Sequence, residues 1–431
     1  MSEDLTLDEF QNKSESDQRH DWREVKLGEV SRKRSENVDP QEVDLDRHVG
    51  LEHIEPNTPS ANWEPVDDLS STKRRFYSGD ILFAKLRPNL EKSAQPDFEG
   101  VSSTDIFPIV AEQGVNSKYL LYRLSSKSAF DYARRTSAGT RMPRTSWNLF
   151  SNFEFDLPPL PEQRKIATVL YTVDRAIEKT GEIIGQVEQT KQALTQSLFL
   201  DGYFDHRETV DAHHQNRLSR HPAEWQTKPA GEVMEVTRGA HPRPKSDDTL
   251  WRGEIPIVKI GDRNRGDSRT ITSTDDTVTE KGSKKSKLVD KGTLIVSNAG
   301  TVGTARITGM QTCIHDHWLI LRNYEESLST RYLYYFINWN QEFLEALASG
   351  STVLDLNTDD FRLFDITFPS LEEQQKIADT LDSLHNREII NVEYSNQLKR
   401  LKHGLMQDLL SGTVRTTDTN IEVPDEIAQH G

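Results

Sequence analysis

Two long stretches of the chain place apolar side chains at alternating steps of four and three residues. The first runs without proline from Glu162 to Phe199, and eight of its ten seam positions between 166 and 198 are apolar. A strict period of 3.5 residues predicts a helix that pairs with another helix in a left-handed coil. Gly181 and Gly185 weaken the middle of this helix and permit a kink there.

The second stretch, from Glu373 to Leu410, is also free of proline and carries the same seam at both ends. Its middle is blurred, because Ile389, Ile390 and Val392 fall outside the register. Each helix of about 38 residues would span roughly 57 Å. Helices of this length need their seam covered, so we expect the two to pack antiparallel against each other.

The two halves of the chain repeat their landmarks in the same order. The first half carries Trp22, Gly28-Glu29-Val30, GDIL at 79–82, KYLLY at 118–122, SAGT at 137–140 and LPPLPEQRKIATVL at 157–170. The second half carries Trp225, Gly231-Glu232-Val233, GTLI at 292–295, RYLYY at 331–335, SGST at 349–352 and FPSLEEQQKIADTL at 368–381. The offset stays between 203 and 213 residues. Such repetition predicts two copies of one structural unit.

The segments between the long helices alternate short apolar runs with amphipathic patterns. Runs at 80–84, 106–110, 294–297 and 318–321 predict strands, and the patterns at 119–134 and 331–348 predict helices. The expected fold class is mixed α/β, with two α/β domains joined by two long helices in an antiparallel coiled coil and an internal two-fold repeat. The expected boundaries are a disordered acidic tail at 1–21, a first domain at 22–157, a long helix at 158–202, a linker at 203–221, a second domain at 222–368, a second long helix at 369–415 and a disordered acidic tail at 416–431.

The net charge of −16 argues against a globally basic DNA-binding protein. Residues 1–21 carry −5 and residues 416–431 carry −4, which leaves only about −7 for the body of the chain. Nucleic-acid binding therefore becomes a question of local charge. The acidic N-terminus, the absence of a long apolar stretch and the single cysteine, Cys313, predict a cytoplasmic protein without a membrane span, a secretion signal or disulfide bonds.

A Pro-Leu-x-Glu-Gln-x-x-Ile-Ala signature opens the first long helix at 159–167 and returns in altered form at 369–378, after the small-residue loop Ser349-Gly350-Ser351. With the doubled order of landmarks, this pattern resembles the specificity subunit of type I restriction–modification enzymes over about residues 22–415. The resemblance implies that each α/β segment is a target recognition domain for one half of a split, asymmetric site in double-stranded DNA, with the helices as a spacer. It also implies two methyltransferase (modification) subunits and restriction (endonuclease and translocase) subunits as partners, and no cofactor or catalysis in the chain itself.

Local clusters of lysine and arginine are the candidate DNA contacts, because such side chains neutralise phosphates and arginine also recognises guanine. In the first half they are Lys73, Arg74 and Arg75 before GDIL, and Arg134, Arg135, Arg141 and Arg144 around Gly139. In the second half they are Arg243 and Lys245 among prolines, Arg263, Arg265 and Arg269 in a Gly/Asp-rich loop, and Lys281, Lys284, Lys285 and Lys287 before GTLI. A solvated loop is the alternative for any one cluster, but recurrence at equivalent places favours contact.

The opening turns of the long helices are the candidate docking sites for the methyltransferase subunits. These turns carry Gln163, Arg164, Lys165, Gln374, Gln375 and Lys376. The sequence lacks a phosphate-binding GxxxxGK[ST] loop and the Asn/Asp-Pro-Pro-aromatic motif of amino-methyltransferases. PDFE at 96–99 has no Glu-x-Lys at a spacing that would suit a nuclease.

Two further groups of residues have a simple structural explanation beside the functional one. Cys313, His315 and His317 alternate, so a strand would place them on one face with zinc-ligand spacing, but ordinary side chains are the simpler interpretation and we predict no metal. Trp63, Trp147 and Trp251 are candidates for stacking on bases, although aromatic residues more often belong to a core. A fused restriction–modification enzyme and a coiled-coil assembly protein without DNA function remain alternatives. The missing catalytic motifs argue against the first, and the two elaborate inserts argue against the second.

Overall fold

The computed structural model describes residues 21–67, 69–214, 217–349 and 354–429. Residues 1–20 of the predicted N-terminal tail, 215–216 of the predicted linker, 350–352 of the predicted small-residue loop and 430–431 of the C-terminal tail lie outside the described residues. The chain forms two compact units of similar construction. Unit 1 comprises residues 1–181 and 393–431, and unit 2 comprises residues 182–392.

Over its described residues, unit 1 forms sheets ordered β1-β11, β2-β10-β7-β8 and β3-β6-β9-β4-β5 along their hydrogen-bonded neighbours. The strands are β1 (Arg23–Lys26), β2 (Ser31–Lys33), β3 (Asn37–Val38), β4 (Arg47–Val49), β5 (Glu64–Pro65), β6 (Lys73–Phe76), β7 (Ile81–Ala84), β8 (Ser93–Ala94), β9 (Gly100–Ser102), β10 (Ile106–Ala111) and β11 (Glu154–Leu157). The short helices are α1 (Leu27–Val30), α2 (Ser117–Leu124), α3 (Lys127–Arg135) and α4 (Trp147–Phe150).

The first long helix is α5 (Leu160–Leu200). Unit 2 has sheets ordered β12-β13, β14-β24, β15-β23-β20-β21-β17 and β18-β16-β22-β19. The strands are β12 (Thr209–His214), β13 (Arg217–Pro222), β14 (Gln226–Pro229), β15 (Glu235–Arg238), β16 (Trp251–Val258), β17 (Thr270–Ile271), β18 (Asp276–Val278), β19 (Lys287–Val289), β20 (Leu294–Ser297), β21 (Ala305–Thr308), β22 (Thr312–Ile314), β23 (Trp318–Arg322) and β24 (Asp365–Phe368). The short helices of unit 2 are α6 (Ala230–Val233), α7 (Glu280–Ser283), α8 (Thr330–Trp339), α9 (Gln341–Leu347) and α10 (Thr358–Leu363). The second long helix is α11 (Leu371–Ser411), and the short helix α12 (Asp425–Ala428) belongs to unit 1.

The predicted internal repeat is confirmed by the strand topology. The order β2-β10-β7-β8 of unit 1 returns as β15-β23-β20-β21 in unit 2, with every neighbouring pair antiparallel in both. The order β6-β9-β4-β5 returns as β19-β22-β16-β18, and in both sheets only the middle pair is parallel. We call these two corresponding sheets the second sheet of each unit. Unit 1 adds β3 at the edge of its second sheet, and unit 2 adds β17 to its other large sheet.

Most of the predicted elements form where the apolar pattern placed them. The run before Ala84 becomes β7, whose four side chains are all buried. The two predicted amphipathic helices are each divided in two. Ser126 accepts a hydrogen bond from the backbone N–H of Ala129 and thereby caps a new helix, and Asn340 separates α8 from α9. A capping side chain such as that of Ser126 competes locally with helix continuation, which periodicity alone does not register.

The long helices lie antiparallel in both units, as predicted. In unit 1, Asp174 of α5 pairs with Lys402 of α11, and in unit 2, Lys191 of α5 pairs with Glu388 of α11. A later residue of α5 thus pairs with an earlier residue of α11, as antiparallel packing requires. Of the predicted seam of α5, Ile166, Leu170, Thr180, Val187 and Leu198 are buried.

A glycine follows each of the two long helices: Gly202 after α5 and Gly412 after α11, with φ of 85° and 75°. Glycine adopts this left-handed conformation readily and commonly ends helices.

The blurred centre of the α11 seam is polar in the structure. Ile390 is 65% exposed, whereas His385 and Ser395 occupy buried positions nearby. The Lys191–Glu388 ion pair spans the two helices in this region at 2.6 Å. Of the apolar residues outside the register, Ile390 and Val392 are therefore exposed to solvent, and Ile389 is half-buried. Within the described residues, none of the helices combines the length and apolarity that crossing a lipid bilayer requires.

The glutamine of each helix-opening signature fastens its helix to the adjacent domain. Gln163 accepts a hydrogen bond from the backbone N–H of Asn116 at 2.8 Å and donates to the carbonyl of Pro158 at 2.8 Å. Gln374 accepts from the N–H of Ser329 at 2.9 Å and donates to the carbonyls of Ser327 and Pro369 at 2.7 and 2.9 Å. Both side chains are almost fully buried.

The glutamate of each signature binds the segment that follows the other long helix. Glu162 accepts two hydrogen bonds from Arg415, at 2.7 and 2.8 Å, just beyond α11. Glu373 accepts from the N–H of Tyr203 and from His206, both at 2.8 Å, just beyond α5. Each signature thus joins a helix start to a helix end.

The predicted disordered tail is structured over residues 416–429, which corrects the sequence-based expectation, and the predicted linker contains two strands. Residues 416–429 pack on unit 1: Ile427 is fully buried, and Asn116 donates to its carbonyl at 2.8 Å. Lys165 donates to the carbonyls of Thr416, Thr417 and Thr419. The predicted linker contains the antiparallel pair β12–β13. Backbone hydrogen bonds satisfy these segments although their own composition is polar.

Asp174 lies in a buried junction whose disruption we expect to destabilise unit 1. Its carboxylate accepts from Lys402 at 2.6 Å and from the Tyr122 hydroxyl at 2.8 Å, and Lys402 also donates to the carbonyl of Asn57. Replacing Lys402→Ala leaves a buried carboxylate without its cation and should lower the free energy of unfolding by about 3–5 kcal/mol. Urea unfolding measures this loss. Lys191→Ala, which breaks the less buried pair, should cost about 1 kcal/mol, and equal losses would contradict the assignment.

His206 makes unit 2 sensitive to pH. Burial lowers the pKa of His206, but its hydrogen bonds to Glu373 and Glu224 outweigh this and leave the pKa raised. The protonated form therefore stabilises the fold, fully below the unfolded pKa of about 6.5, and this stabilisation is lost as pH rises through the folded pKa. We expect the melting temperature to fall from about pH 6 to 8, and to fall less in His206→Gln. Parallel pH profiles for the two proteins would contradict this prediction.

Candidate nucleic-acid interface

The second sheet of each unit carries a predicted basic cluster on an equivalent strand. Strand β6 contains Lys73, Arg74 and Arg75, and β19 begins at Lys287, the last lysine of the cluster at 281–287. The two strands correspond, because each pairs antiparallel with the central strand, β9 or β22. The two basic clusters, which recur at corresponding places in the sequence, therefore lie at structurally equivalent strands.

The cations of β6 are largely engaged within unit 1. Lys73 is buried and donates to the hydroxyl and carbonyl oxygens of Ser71, at 2.6 and 3.1 Å. Arg75 pairs with Glu99 at 3.2 Å and Glu36 at 3.6 Å. Arg74 is half-buried. This strand consequently presents less positive charge than its sequence indicates.

The second cluster of unit 1 surrounds a loop that has a counterpart in unit 2. Arg144 closes the loop by bridging to Ala138 and Leu86, and Asp355 bridges to Ser349 and Ala299 in the same way. The residues that close the two loops carry opposite charges, because Arg144 is a cation and Asp355 is a carboxylate. Arg144 binds Asp105 through two hydrogen bonds of 2.9 and 3.1 Å and holds the pKa of that carboxyl below its usual value.

Asp355 of unit 2 is also ion-paired, because its carboxylate accepts two hydrogen bonds from Arg238 at 2.9 and 3.2 Å.

The other arginines of the unit 1 cluster differ from Arg144. Arg134 pairs with Asp131 and Glu91, and Arg135 lies over the ring of Tyr132. Arg141 is exposed. The four arginines thus differ in how far their charge is compensated by the chain itself.

Two predicted clusters of unit 2 are brought together by a single contact. Lys285 donates to the carbonyl of Arg243 at 2.8 Å, which places the Arg243–Lys245 loop beside the 281–287 segment. Lys281 donates to Thr249 at 2.7 Å. Lys284 and Lys287 are exposed and make none of the ion pairs found in the described part of the chain. This is the more available basic surface of the two second sheets.

The arginines of the Gly/Asp-rich loop serve mainly to hold that loop. Arg265 pairs with Asp262 at 3.1 Å and also with Asp275. Arg263 donates to the hydroxyl of Thr301. Arg269 pairs with Asp382 of α11, so this loop is tied directly to the long helix.

An aromatic group on the second sheet of unit 1 was only partly indicated by the sequence. The ring of Trp63 is 46% exposed, and the guanidinium of Arg47 lies 5.1 Å from it and 5.0 Å from the ring of Phe98. Arg47 follows two acidic residues closely, so no basic cluster signalled it. Trp147, the other tryptophan candidate of this unit, packs against Phe107 in the core.

The zinc-ligand spacing of Cys313, His315 and His317 does not form one face. Cys313 lies fully buried within β22, whereas both histidines follow the end of that strand. A separate group in unit 1, His48, His53 and Glu64, has ligand atoms within 4.8 Å of one another. Yet His53 Nδ1 accepts the N–H of Gly50 at 2.9 Å, so its other nitrogen carries a proton in the neutral ring. That proton opposes a metal bond.

The six candidate docking residues divide by burial. Gln163 and Gln374 are buried, and Lys165 is occupied by the carbonyls of the C-terminal segment. Arg164 is half-buried, whereas Gln375 and Lys376 are exposed on α11. A polar patch at the start of α11 is therefore open where the corresponding part of α5 is partly covered.

Comparison with known proteins gives a consistent result. The type I restriction modification DNA specificity domain matches the chain twice, at residues 19–189 and 222–400. A putative type I restriction enzyme MjaX specificity subunit from Methanocaldococcus jannaschii is 24% identical, with 82% of each chain covered. The type I restriction enzyme HindI specificity subunit from Haemophilus influenzae is 23% identical, with 91% of this chain and all of the relative covered.

Two solved structures share the fold. One, from work on complex assembly and conformational transition of the type I R-M system, has a TM-score of 0.56 and 22% identity, and covers 92% of this chain and 99% of that chain. The S subunit of a type I restriction-modification system from M. genitalium also has a TM-score of 0.56, with 13% identity and coverage of 90% and 96%. At these identities the likeness extends to the fold alone.

Proposed function

From the premise that this chain belongs to the type I restriction modification DNA specificity domain family, we propose that it recognises a split sequence in double-stranded DNA and catalyses no reaction itself. The observation that carries this proposal is the repeated second sheet, present once in each unit with basic residues on the equivalent strand. Two recognition surfaces of one design suit two half-sites. Each surface reads one of them.

The recognised sequence should be asymmetric, because the two surfaces differ in detail. In unit 1, Lys73 of β6 is buried and Arg75 pairs with Glu36 and Glu99, whereas unit 2 leaves Lys284 and Lys287 exposed. Readers that approach one face of B-DNA are separated by about 34–36 Å per turn. Helices of 41 residues span roughly 61 Å, which is long enough to set this separation.

The chemistry would be supplied by partners. We infer two methyltransferase subunits that methylate adenine, joined by restriction subunits, with the exposed start of α11 at Gln375 and Lys376 and the half-buried Arg164 of α5 as contacts. The sequence lacks the Asn/Asp-Pro-Pro-aromatic motif, which argues against a fused restriction–modification enzyme. A coiled-coil assembly protein would not need two elaborate α/β units.

Deleting the gene should abolish N6-methyladenine at one split, asymmetric motif across the source genome. Restoring the gene with residues 22–157 taken from a relative should change one half of that motif only, since each unit recognises its half independently. Sequencing that detects modified bases measures both results. Identical maps with and without the gene would reject the proposed function, and a change in both halves would reject independent readers.

Neutralising Lys284 and Lys287 together should weaken binding of the assembled complex to all DNA sequences alike. Each lost phosphate contact should reduce the slope of log affinity against log salt by about one. Binding titrations over a range of salt concentrations measure this slope. Lys399→Ala, which removes an exposed lysine of α11, is the matched control and should leave the slope unchanged. An unaltered slope in the double variant would exclude these lysines from the interface.

A further inference from the structure

The first residue of the repeated segments KYLLY and RYLYY is a cation in both units, but only the cation of unit 2 is paired. There, Arg331 donates to Asp379 at 2.7 Å and to Asp382 at 2.8 Å, and both carboxylates belong to α11. In unit 1, the ammonium group of Lys118 makes neither a hydrogen bond nor an ion pair with any described residue. The two units, which share one topology, therefore differ in how this charge is compensated.

The difference at Lys118 follows from two positions near the start of the long helices. When the helix-opening signatures are aligned, Thr168 of α5 stands in the place of Asp379 of α11, and Tyr171 stands in the place of Asp382. The ring of Tyr171 lies 5.6 Å from the ammonium nitrogen of Lys118. An aromatic face attracts a cation less strongly than two carboxylates do. Unit 1 thus keeps the cation and lacks the acids that pair with it in unit 2.

A cavity of about 350 Å³ lies beside Lys118 in unit 1. Its walls are the loops 57–61 and 95–98 of the α/β domain and the stretch 171–178 of α5. Phe98 gives the cavity apolar surface, whereas Asp97 is exposed, so the cavity is open to solvent. Lys118 is half-buried in this arrangement. A side chain that enters the cavity can therefore reach the lysine.

The charges around the cavity favour a carboxylate as its occupant. Burial lowers the pKa of Lys118, and acidic side chains in the neighbourhood, of which Asp97 has the strongest effect, offset this only in part. Asp174, which also lines the cavity, is already bound by Lys402 at 2.6 Å. A half-buried cation without a close anion is unfavourable. In unit 2 the equivalent cation, Arg331, is completed by carboxylates, which identifies the chemistry that unit 1 lacks.

We propose that the cavity beside Lys118 receives an acidic side chain of a methyltransferase subunit that docks on unit 1, an inference that rests on the proposed function. The carboxylate of this side chain takes the role that Asp379 and Asp382 have in unit 2, and its methylene groups pack against Phe98. The matching part of unit 2 needs no such residue, because its cation is already neutralised. The two methyltransferase subunits therefore make different contacts with the chain.

The position of the cavity along α5 suits this partner. The proposed docking residue Arg164 precedes Tyr171 by seven residues, which places the two on one side of the helix and roughly 10 Å apart. Arg175 and Glu178 continue the same side of α5 and line the cavity. A subunit that contacts Arg164 can therefore also place a side chain in the cavity.

Substitutions at Lys118 and Tyr171 test the cavity in the full chain, mixed with the methyltransferase subunit of the source organism. Lys118→Met removes the charge and keeps the length of the side chain. It should weaken binding of one of the two subunits about tenfold or more, because the partner's carboxylate loses its cation. Lys118→Arg keeps the charge and should bind both subunits. Tyr171→Asp supplies the carboxylate of unit 2 within the chain and should weaken binding of the same subunit. Lys127→Met, at an exposed lysine of the same domain, is the matched control and should bind both subunits normally.

Native mass spectrometry counts the bound subunits, titration gives their affinities, and melting curves establish that each variant is folded. Unchanged affinity for both subunits in either folded variant, Lys118→Met or Tyr171→Asp, would overturn the inference. Weaker DNA binding with both subunits still bound would also overturn it and would assign Lys118 to a phosphate. A melting temperature that rises in malonate for the unaltered chain but not for Lys118→Met, without a change in subunit binding, would assign the cavity to a free carboxylate instead. An unaltered chain that binds no methyltransferase subunit would reject the proposed function itself.

Discussion

Each of the two 41-residue helices carries an apolar seam, and exposure of such a seam to water is unfavourable. In each unit the two helices bury their seams by packing against each other. This antiparallel arrangement requires each helix to start where the other ends. The signature glutamates meet that requirement directly, since Glu162 binds Arg415 beyond α11 and Glu373 binds Tyr203 and His206 beyond α5. The adjacent glutamines attach each start to its α/β domain.

The candidate DNA-binding surfaces of this acidic chain differ in how far their cations are paired with carboxylates. Charged side chains that lie close to carboxylates, such as Arg144 beside Asp105 and Arg265 beside Asp262, contribute little net field. Exposed lysines without such partners contribute more, and Lys284 and Lys287 are two of these beside the second sheet of unit 2. The corresponding region of unit 1 carries the exposed ring of Trp63 beside the guanidinium of Arg47. Two recognition surfaces with one topology can therefore have different electrostatics.

We propose that the scaffold and the recognition surface are separate parts of this fold. The helix starts use buried hydrogen bonds, which tolerate little change. Lys284 and Lys287, the exposed lysines of the candidate DNA surface, lie outside these junctions. We therefore expect substitution at these lysines to leave the helices and their junctions intact.

The sequence by itself determined the repeat, the two long helices, their antiparallel pairing and most core strands, because these follow from periodicity and from local apolar runs. It also located the basic clusters, since composition is visible directly. Only the tertiary structure decided that Lys73 and Gln163 are buried, that His315 and His317 lie beyond the strand that contains Cys313, and that the polar segment 416–429 packs on unit 1. The positions of Gln163 and of segment 416–429 depend on hydrogen bonds between residues far apart in the chain, such as Asn116 with Ile427. Periodicity carries no information about such partners.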